Sequence, residues 1–283
     1  MTYQKNKDKI AIIQLKSKDQ NPDLLNQGYN EGLLENITIL ENDPDLKYLN
    51  EINERYGAKE FLVLTYSPNN EMNSEDSIKN LTHVHQVPDA DDPVFYRMRY
   101  LNEMLAMVET DVVANYDSDV LLPVDTYVKA QEMCKGEYDL VYPYGQGMWQ
   151  KQIFADDNLV SDFLSNDCKF DILERQSKDY DAQSGHVQFF KTKSYIEGGM
   201  ENENFKSWGP EDAERLYRFN TLGYNVSRID DWVYHLEHAR GENSWYNNPY
   251  MQNNTNLWES IQRMNKDQLK QYYTNQDYLK KYK

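Results

Sequence analysis

Two aspartates one residue apart, Asp117 and Asp119, follow the apolar run Asp111-Val-Val-Ala114 in the stretch Asn115-Tyr-Asp-Ser-Asp-Val-Leu-Leu-Pro123. Side chains alternate faces along an extended backbone, so both carboxylates can point one way and offer a seat for a divalent cation. An acidic turn in water has the same signature, so its weight depends on what else the chain supplies. Three further stretches bear on that. Trp208-Gly-Pro-Glu-Asp-Ala-Glu214 sets Glu211 and Asp212 at a helix start, where the dipole favours acids, and in a cleft one of them could serve a hydroxyl as general base. His235-Leu-Glu-His238 spaces two imidazoles three residues apart, close enough to share a cation if the chain turns. Mixed carboxylate and imidazole donors suit manganese better than zinc. Phe95-Tyr-Arg-Met-Arg-Tyr-Leu-Asn102 leads into the acidic run; there an arginine can pair with phosphate and a phenyl ring can stack on a base.

These residues need elements to hold them. Lys9–Leu15 reads as a buried strand in the middle of a sheet and Phe61–Tyr66 as a second strand, with a shorter strand at Thr82–Val87. Asp45–Tyr56 has helical spacing and a Gly57 cap. Pro93–Val108 reads as a helix through Phe95, Met98, Leu101, Leu105 and Val108, with Arg97, Arg99 and Asn102 on its flanks. Tyr127–Cys134 continues as helix and Tyr138–Tyr142 as strand, while Pro143–Trp149 reads as a flexible loop with aromatic tips. Residues 155–183 are acidic and carry no clear pattern. Val187–Phe190 reads as a strand, Ser194–Glu197 as a helix ending at Gly198-Gly199, and Glu211–Leu222 as a helix ending at Gly223. Asn225–Ile229 and Trp232–His235 are extended, and a polar helical tail runs from Leu257. Strands alternating with helices over residues 9–142 argue for an α/β sheet.

A net charge of −17 over 283 residues, with no basic patch, excludes nucleic acid as an expected partner, and no apolar run approaches the ~20 residues of a membrane helix. The first residues show no apolar signal core. Cys134 and Cys168 are therefore expected as reduced thiols and the location as cytoplasmic, in a bacterial or viral setting.

Taken in order, these segments resemble the metal-dependent glycosyltransferases of the GT-A fold. Within them the chain is most similar to the β-1,4-galactosyltransferase family and the related chondroitin-polymerase-type transferase domains. Phe95–Asn102 followed by Tyr116–Pro123 is similar to that family's Phe-x-Arg-x-x-x-Leu-Asn helix and Asp-x-Asp-Leu-Ile-Pro turn. Tyr195–Asp212 and His235–Asn243 are similar to its Trp-Gly-Gly-Glu-Asp-Asp and Met-x-x-His-x-Arg segments. The resemblance implies a single GT-A (Rossmann-like) domain over 1–250, a mixed β-sheet flanked by helices; beyond it, the helical polar extension 251–283 is open to covering the core, making a homo-oligomer contact or touching an anionic membrane surface through its lysines, and its polarity favours the first two.

It further implies an inverting transferase that moves a hexose or N-acetylhexosamine, galactose-type favoured, from a UDP-sugar to a carbohydrate hydroxyl with Mn2+ or Mg2+. In that frame Phe95, Arg97 and Asp117 contact the nucleotide, and Asp119, His235 and His238 hold the metal. Trp208 and Glu211 bind the acceptor, and Asp212 is the catalytic base. His235 stands where the galactosyltransferases carry methionine, and Pro210 where they carry glycine. The stretch 239–249 corresponds to a loop that closes over donor. A retaining transferase and a non-catalytic carbohydrate-binding protein on the same fold stay open as alternatives.

Overall fold

The structure, a computed structural model, describes residues 10–15, 37–39, 60–66, 81–86, 94–117, 120–166, 169–180, 184–237 and 248–282. Strands β1 (Ile10–Leu15), β2 (Ile37–Ile39), β3 (Glu60–Tyr66) and β4 (Leu81–Gln86) come first, then helix α1 (Arg97–Leu105), β5 (Val112–Asp117) and the two-residue β6 (Val120–Leu121). Next are α2 (Val124–Lys135), β7 (Leu140–Tyr142), β8 (Gln150–Ile153), α3 (Asp157–Ser165), the single turn α4 (Phe170–Leu173), β9 (Ser177–Asp179), β10 (Val187–Lys191) and α5 (Thr192–Glu197). Helix α6 (Glu211–Leu222), β11 (Val226–Arg228), β12 (Val233–Leu236), α7 (Met251–Gln262) and α8 (Lys266–Thr274) follow.

Eight strands form one mixed sheet in the order β11-β7-β10-β5-β1-β2-β3-β4. Its ladders are parallel except the two that β10 makes, with β5 and with β7. β1 lies inside the sheet between β5 and β2, as its unbroken apolar run requires. Residues 112–116 of β5 are all buried, and helices α1 and α2 present Met98, Leu101, Met104 and Leu105, and Tyr127, Ala130 and Cys134, at helical spacing to the same core. Cys134 is free and buried there; Cys168 lies outside the described residues.

A second sheet, β6-β12-β8-β9, has its own core of Leu121, Ile153, Leu159, Phe163, Ile172, Leu173, Tyr234 and Leu236. The chain leaves the large sheet at the end of β5 and enters the small one at β6. Both ends of that crossing are held by one side chain. The Tyr116 hydroxyl donates to the Val120 carbonyl and meets the Tyr127 hydroxyl at 2.6 Å. Asp117, the last residue of β5, therefore sits where one sheet hands the chain to the other, at the carboxyl end of a strand parallel to β1, the usual place for a ligand in an open α/β sheet.

Several boundaries differ from the sequence reading. β5 runs to Asp117, three residues past Ala114, because Asn115 and Tyr116 pair with both β1 and β10. Helix α1 spans only residues 97–105, and Asn102, expected on a flank, is fully buried. The stretch 143–149 is not a flexible loop: Tyr144 is fully buried with its hydroxyl on the Gly185 carbonyl, and Trp149 packs at 4.9 Å against Trp232. Residues 155–183 supply α3, α4 and β9. The helix expected at Asp45–Tyr56 lies outside the described residues.

The C-terminal tail is helical as expected and starts at Met251. Its Ile261, Leu269 and Tyr273 enter the same hydrophobic cluster as β5 and β10, so the tail covers the core. No described helix is long and apolar enough to cross a membrane.

Candidate active site

Helix α6 begins where the sequence places it. The Pro210 carbonyl accepts the Glu214 N–H at 2.9 Å, and Gly223 ends the helix at φ 92°, a left-handed conformation that costs a glycine little. Glu211 and Asp212 thus occupy its first turn. The loop before it is fastened on two sides. The Ser207 N–H donates to the Phe95 carbonyl at 3.0 Å, which ties the start of α1 to the Trp208 segment. Asn248 and Asn254, both buried, donate to the Trp208 carbonyl, Asn254 at 2.9 Å. A Cβ on Gly209 would stand 2.8 Å from the Asn254 amide, so the close approach of tail and loop requires glycine there.

Arg97, the first residue of α1, joins two segments that the sequence keeps far apart. Its Nη2 donates to Asp117 Oδ1 at 2.9 Å and its Nη1 to Glu211 Oε1 at 2.8 Å. The end of β5 and the start of α6 are thereby pinned to one guanidinium. Glu211 is 2% exposed, and its Oε2 has no hydrogen-bond partner among the described residues. Burial first, and the neighbouring Asp212 second, push its carboxyl up to about 8 against the pull of Arg97. This shift favours the protonated form, which can donate a hydrogen bond. Asp212 beside it is 27% exposed and accepts from Arg215 Nη1 at 2.7 Å.

Behind Asp212 stands a group that sequence reasoning passed over. Arg215 is fully buried; its Nε and Nη2 meet the two oxygens of Glu201 at 2.7 Å each, and Nη1 also reaches Gln188 Oε1 at 3.2 Å. Burial works against the Glu201 charge, but this two-pronged pair, with the Tyr195 hydroxyl, holds its carboxyl below the usual range. In the sequence Arg215 looks like any helix arginine; only the four-residue spacing of Glu211, Arg215 and Phe219, which puts it on the inward face, hinted at burial.

His235 lies in β12, where the backbone register sets it opposite Val120, the residue after Asp119 in the chain. Its ring stacks on Tyr180 at 5.7 Å and lies 5.4 Å from His186, with Nδ1 3.9 Å from Glu237 Oε2. His186, another residue not singled out, accepts the Asp117 N–H on its carbonyl at 2.9 Å and has φ 70°, uncommon outside glycine. Asp119 and His238 lie outside the described residues. Among the described residues no group of three or more His, Cys, Asp or Glu is arranged to hold a metal ion. The structure thus brings Arg97, Asp117 and Glu211 into direct contact, ties Phe95 to the segment that leads into Trp208 and Asp212, and sets His235 opposite Val120 at the strand crossing.

No family model matches the sequence, and no curated protein matches it. Among solved structures, the chain is similar to a point mutant of Drosophila β-1,4-galactosyltransferase 7 in complex with manganese, UDP-Gal and xylobiose. The TM-score is 0.41 and the identity 14%, over 81% of this chain and 71% of that one.

Proposed function

We propose that this chain is an inverting, metal-dependent glycosyltransferase that moves a hexose or N-acetylhexosamine, galactose-type favoured, from a UDP-sugar to a carbohydrate hydroxyl. The observation that carries the reading is the Arg97 bridge from Asp117 to Glu211, which joins a donor-side carboxylate to an acceptor-side one beside a partly exposed Asp212. The half-buried Trp208 supplies an indole wall for a sugar ring. A sugar hydroxyl would also supply the partner that the buried Glu211 Oε2 lacks among the described residues. Glu211 and Asp212 then form a pair of adjacent carboxyl groups with separate tasks, Glu211 donating a hydrogen bond and Asp212 taking a proton.

In this reading the acceptor oxygen forms its bond to the anomeric carbon from the face opposite the diphosphate. Its proton passes to Asp212, and the bond to the diphosphate breaks with the electron pair leaving on UDP. Residues Asp119, His235 and His238 would hold the cation; carboxylate and imidazole donors fit Mn2+ or Mg2+, and the strand pairing of His235 with Val120 is consistent with that set. When bound, the cation supplies neutralisation of charge on the leaving diphosphate.

A UDP-release assay over a panel of UDP-sugars and carbohydrate acceptors tests the proposal, with the anomeric proton of the product read by NMR. Release is expected only with acceptor, to stop in EDTA and to return with Mn2+. Asp212→Asn is expected to lower transfer by about 10²–10⁴-fold with UDP binding intact, the worth of a positioned base. Retention at the anomeric carbon would overturn the inverting mechanism; sugar binding without UDP release would favour a carbohydrate-binding protein.

A further inference from the structure

We propose that Arg215 is a positioning residue for transfer, a buried guanidinium that fixes the carboxylate of Asp212 in the direction from which it meets the acceptor hydroxyl. This rests on the reading of Asp212 as the base. A purely structural Arg215 would need only Glu201, whose two oxygens already match the Nε and Nη2 edge of the fork. The remaining nitrogen, Nη1, is aimed at Asp212 Oδ1 at 2.7 Å, the first turn of the same helix, and is steadied by Gln188 from β10.

Glu201 is itself rigid. Its N–H donates to Asn102 Oδ1 at 2.7 Å, its carbonyl accepts from Asn102 Nδ2 at 2.9 Å, and the Tyr195 hydroxyl donates to its carboxylate. Asn102 belongs to α1, whose Arg97 holds Glu211. One helix therefore sets both carboxyl groups of the pair. Arg97 reaches Glu211 directly, and Asn102 reaches Asp212 through Glu201 and Arg215. Every member of that second chain except Asp212 is buried to 2% exposure or less, so the base has a fixed support and one open side. Such support matters because displacing a reacting group by about 1 Å can cost on the order of 10²-fold in rate.

The test is a double-mutant cycle on the full chain, with the UDP-sugar and acceptor pair selected by UDP release and donor binding read separately with UDP and Mn2+. Arg215→Lys keeps a cation for Glu201, but a single ammonium cannot span Glu201 and Asp212 with the same geometry. It is expected to lower kcat by about 10- to 100-fold with the donor KM and UDP affinity within about twofold. In an Asp212→Asn background the same change is expected to cost less than about twofold, because the group through which Arg215 acts is gone. Losses that multiply across the two variants, or an unchanged kcat in Arg215→Lys, overturn the positioning role while leaving the base in place. Wild-type transfer by Asp212→Asn overturns both. If Arg215→Lys melts below the assay temperature, Gln188→Leu, which removes one hold on Nη1 and leaves the Glu201 pair, takes its place in the cycle. A kcat fall of about 3- to 10-fold that vanishes in Asp212→Asn is then expected, and a fall that persists there overturns the proposal.

Discussion

Helix α6 buries two arginines one turn apart, Arg215 and Arg218, and they hold their carboxylates differently. Arg215 has all three nitrogens engaged, on Glu201, Gln188 and Asp212. Arg218 sends Nη1 to the carbonyls of Gly198 and Met200 at 2.8 and 2.7 Å, and its Nε lies 3.2 Å from Glu214. Its Nε and Nη2 make no hydrogen bond among the described residues, and its flat face packs 4.4 Å over the Tyr273 ring of α8. The carboxyl groups respond accordingly. Against the cost of burial, the fitted fork keeps Glu201 below the usual carboxyl range, whereas burial prevails at Glu214 and raises it. Ionisation in the interior thus follows the number of aligned hydrogen bonds rather than the mere presence of a cation. The first arginine supports the site; the second clamps the tail.

Removing each arginine sharpens that contrast. Arg215→Met strands an ionised Glu201 and is expected to cost about 3–5 kcal/mol in denaturant unfolding. Arg218→Met leaves a Glu214 that is already displaced towards its neutral form, and about 1–3 kcal/mol is expected. Equal losses would erase the distinction between the two pairs. On the tail side, Asn254→Ala removes the bonds to the Trp208 and Lys206 carbonyls and is expected to cost about 1–2 kcal/mol, seen as a lower melting temperature. An unchanged melting temperature would show that the tail does not brace the Trp208 loop.

A pH-dependent effect concerns Glu211, whose folded-state value lies above its unfolded one. The folded chain holds the extra proton between about 4.5 and about 8, so this group's contribution to stability falls as pH rises through that window and levels off above it. Glu211→Gln keeps the neutral shape and lacks the slope. Its stability relative to wild type should rise from pH 5 to pH 8 in urea melts; a constant difference would remove Glu211 from the protonated state.

Much of the frame was legible because it is written in local patterns. The apolar runs of β1, β3 and β5 and the α6 span from Glu211 to Leu222 follow from periodicity and from Pro210 and Gly223 at the helix ends. β8 and β9, Gln-Lys-Gln-Ile and Ser-Lys-Asp, carry no strand pattern, and their conformation comes from pairing in the small sheet. β2 is three residues long, too short to announce itself. At the site, the acidic turn, the Trp208–Asp212 segment and the Phe95–Arg97 segment were legible as residue types at useful spacing. That Arg97 would meet both Asp117 and Glu211 was not, nor the supporting roles of Asn102, Glu201, Arg215 and Asn254. A charged or amide side chain reads as solvated until its surroundings are known, and each of these four is buried.

The sequence by itself determined which stretches could become strand or helix, and it placed a pair of carboxyl residues at a helix start and another pair after a buried strand. The tertiary structure decided which carboxyl groups meet a guanidinium, and so that Glu211 is raised while Glu201 is lowered. The physical reason is that periodicity is a property of neighbours in the chain, whereas desolvation and hydrogen-bond alignment are set by residues brought together across it.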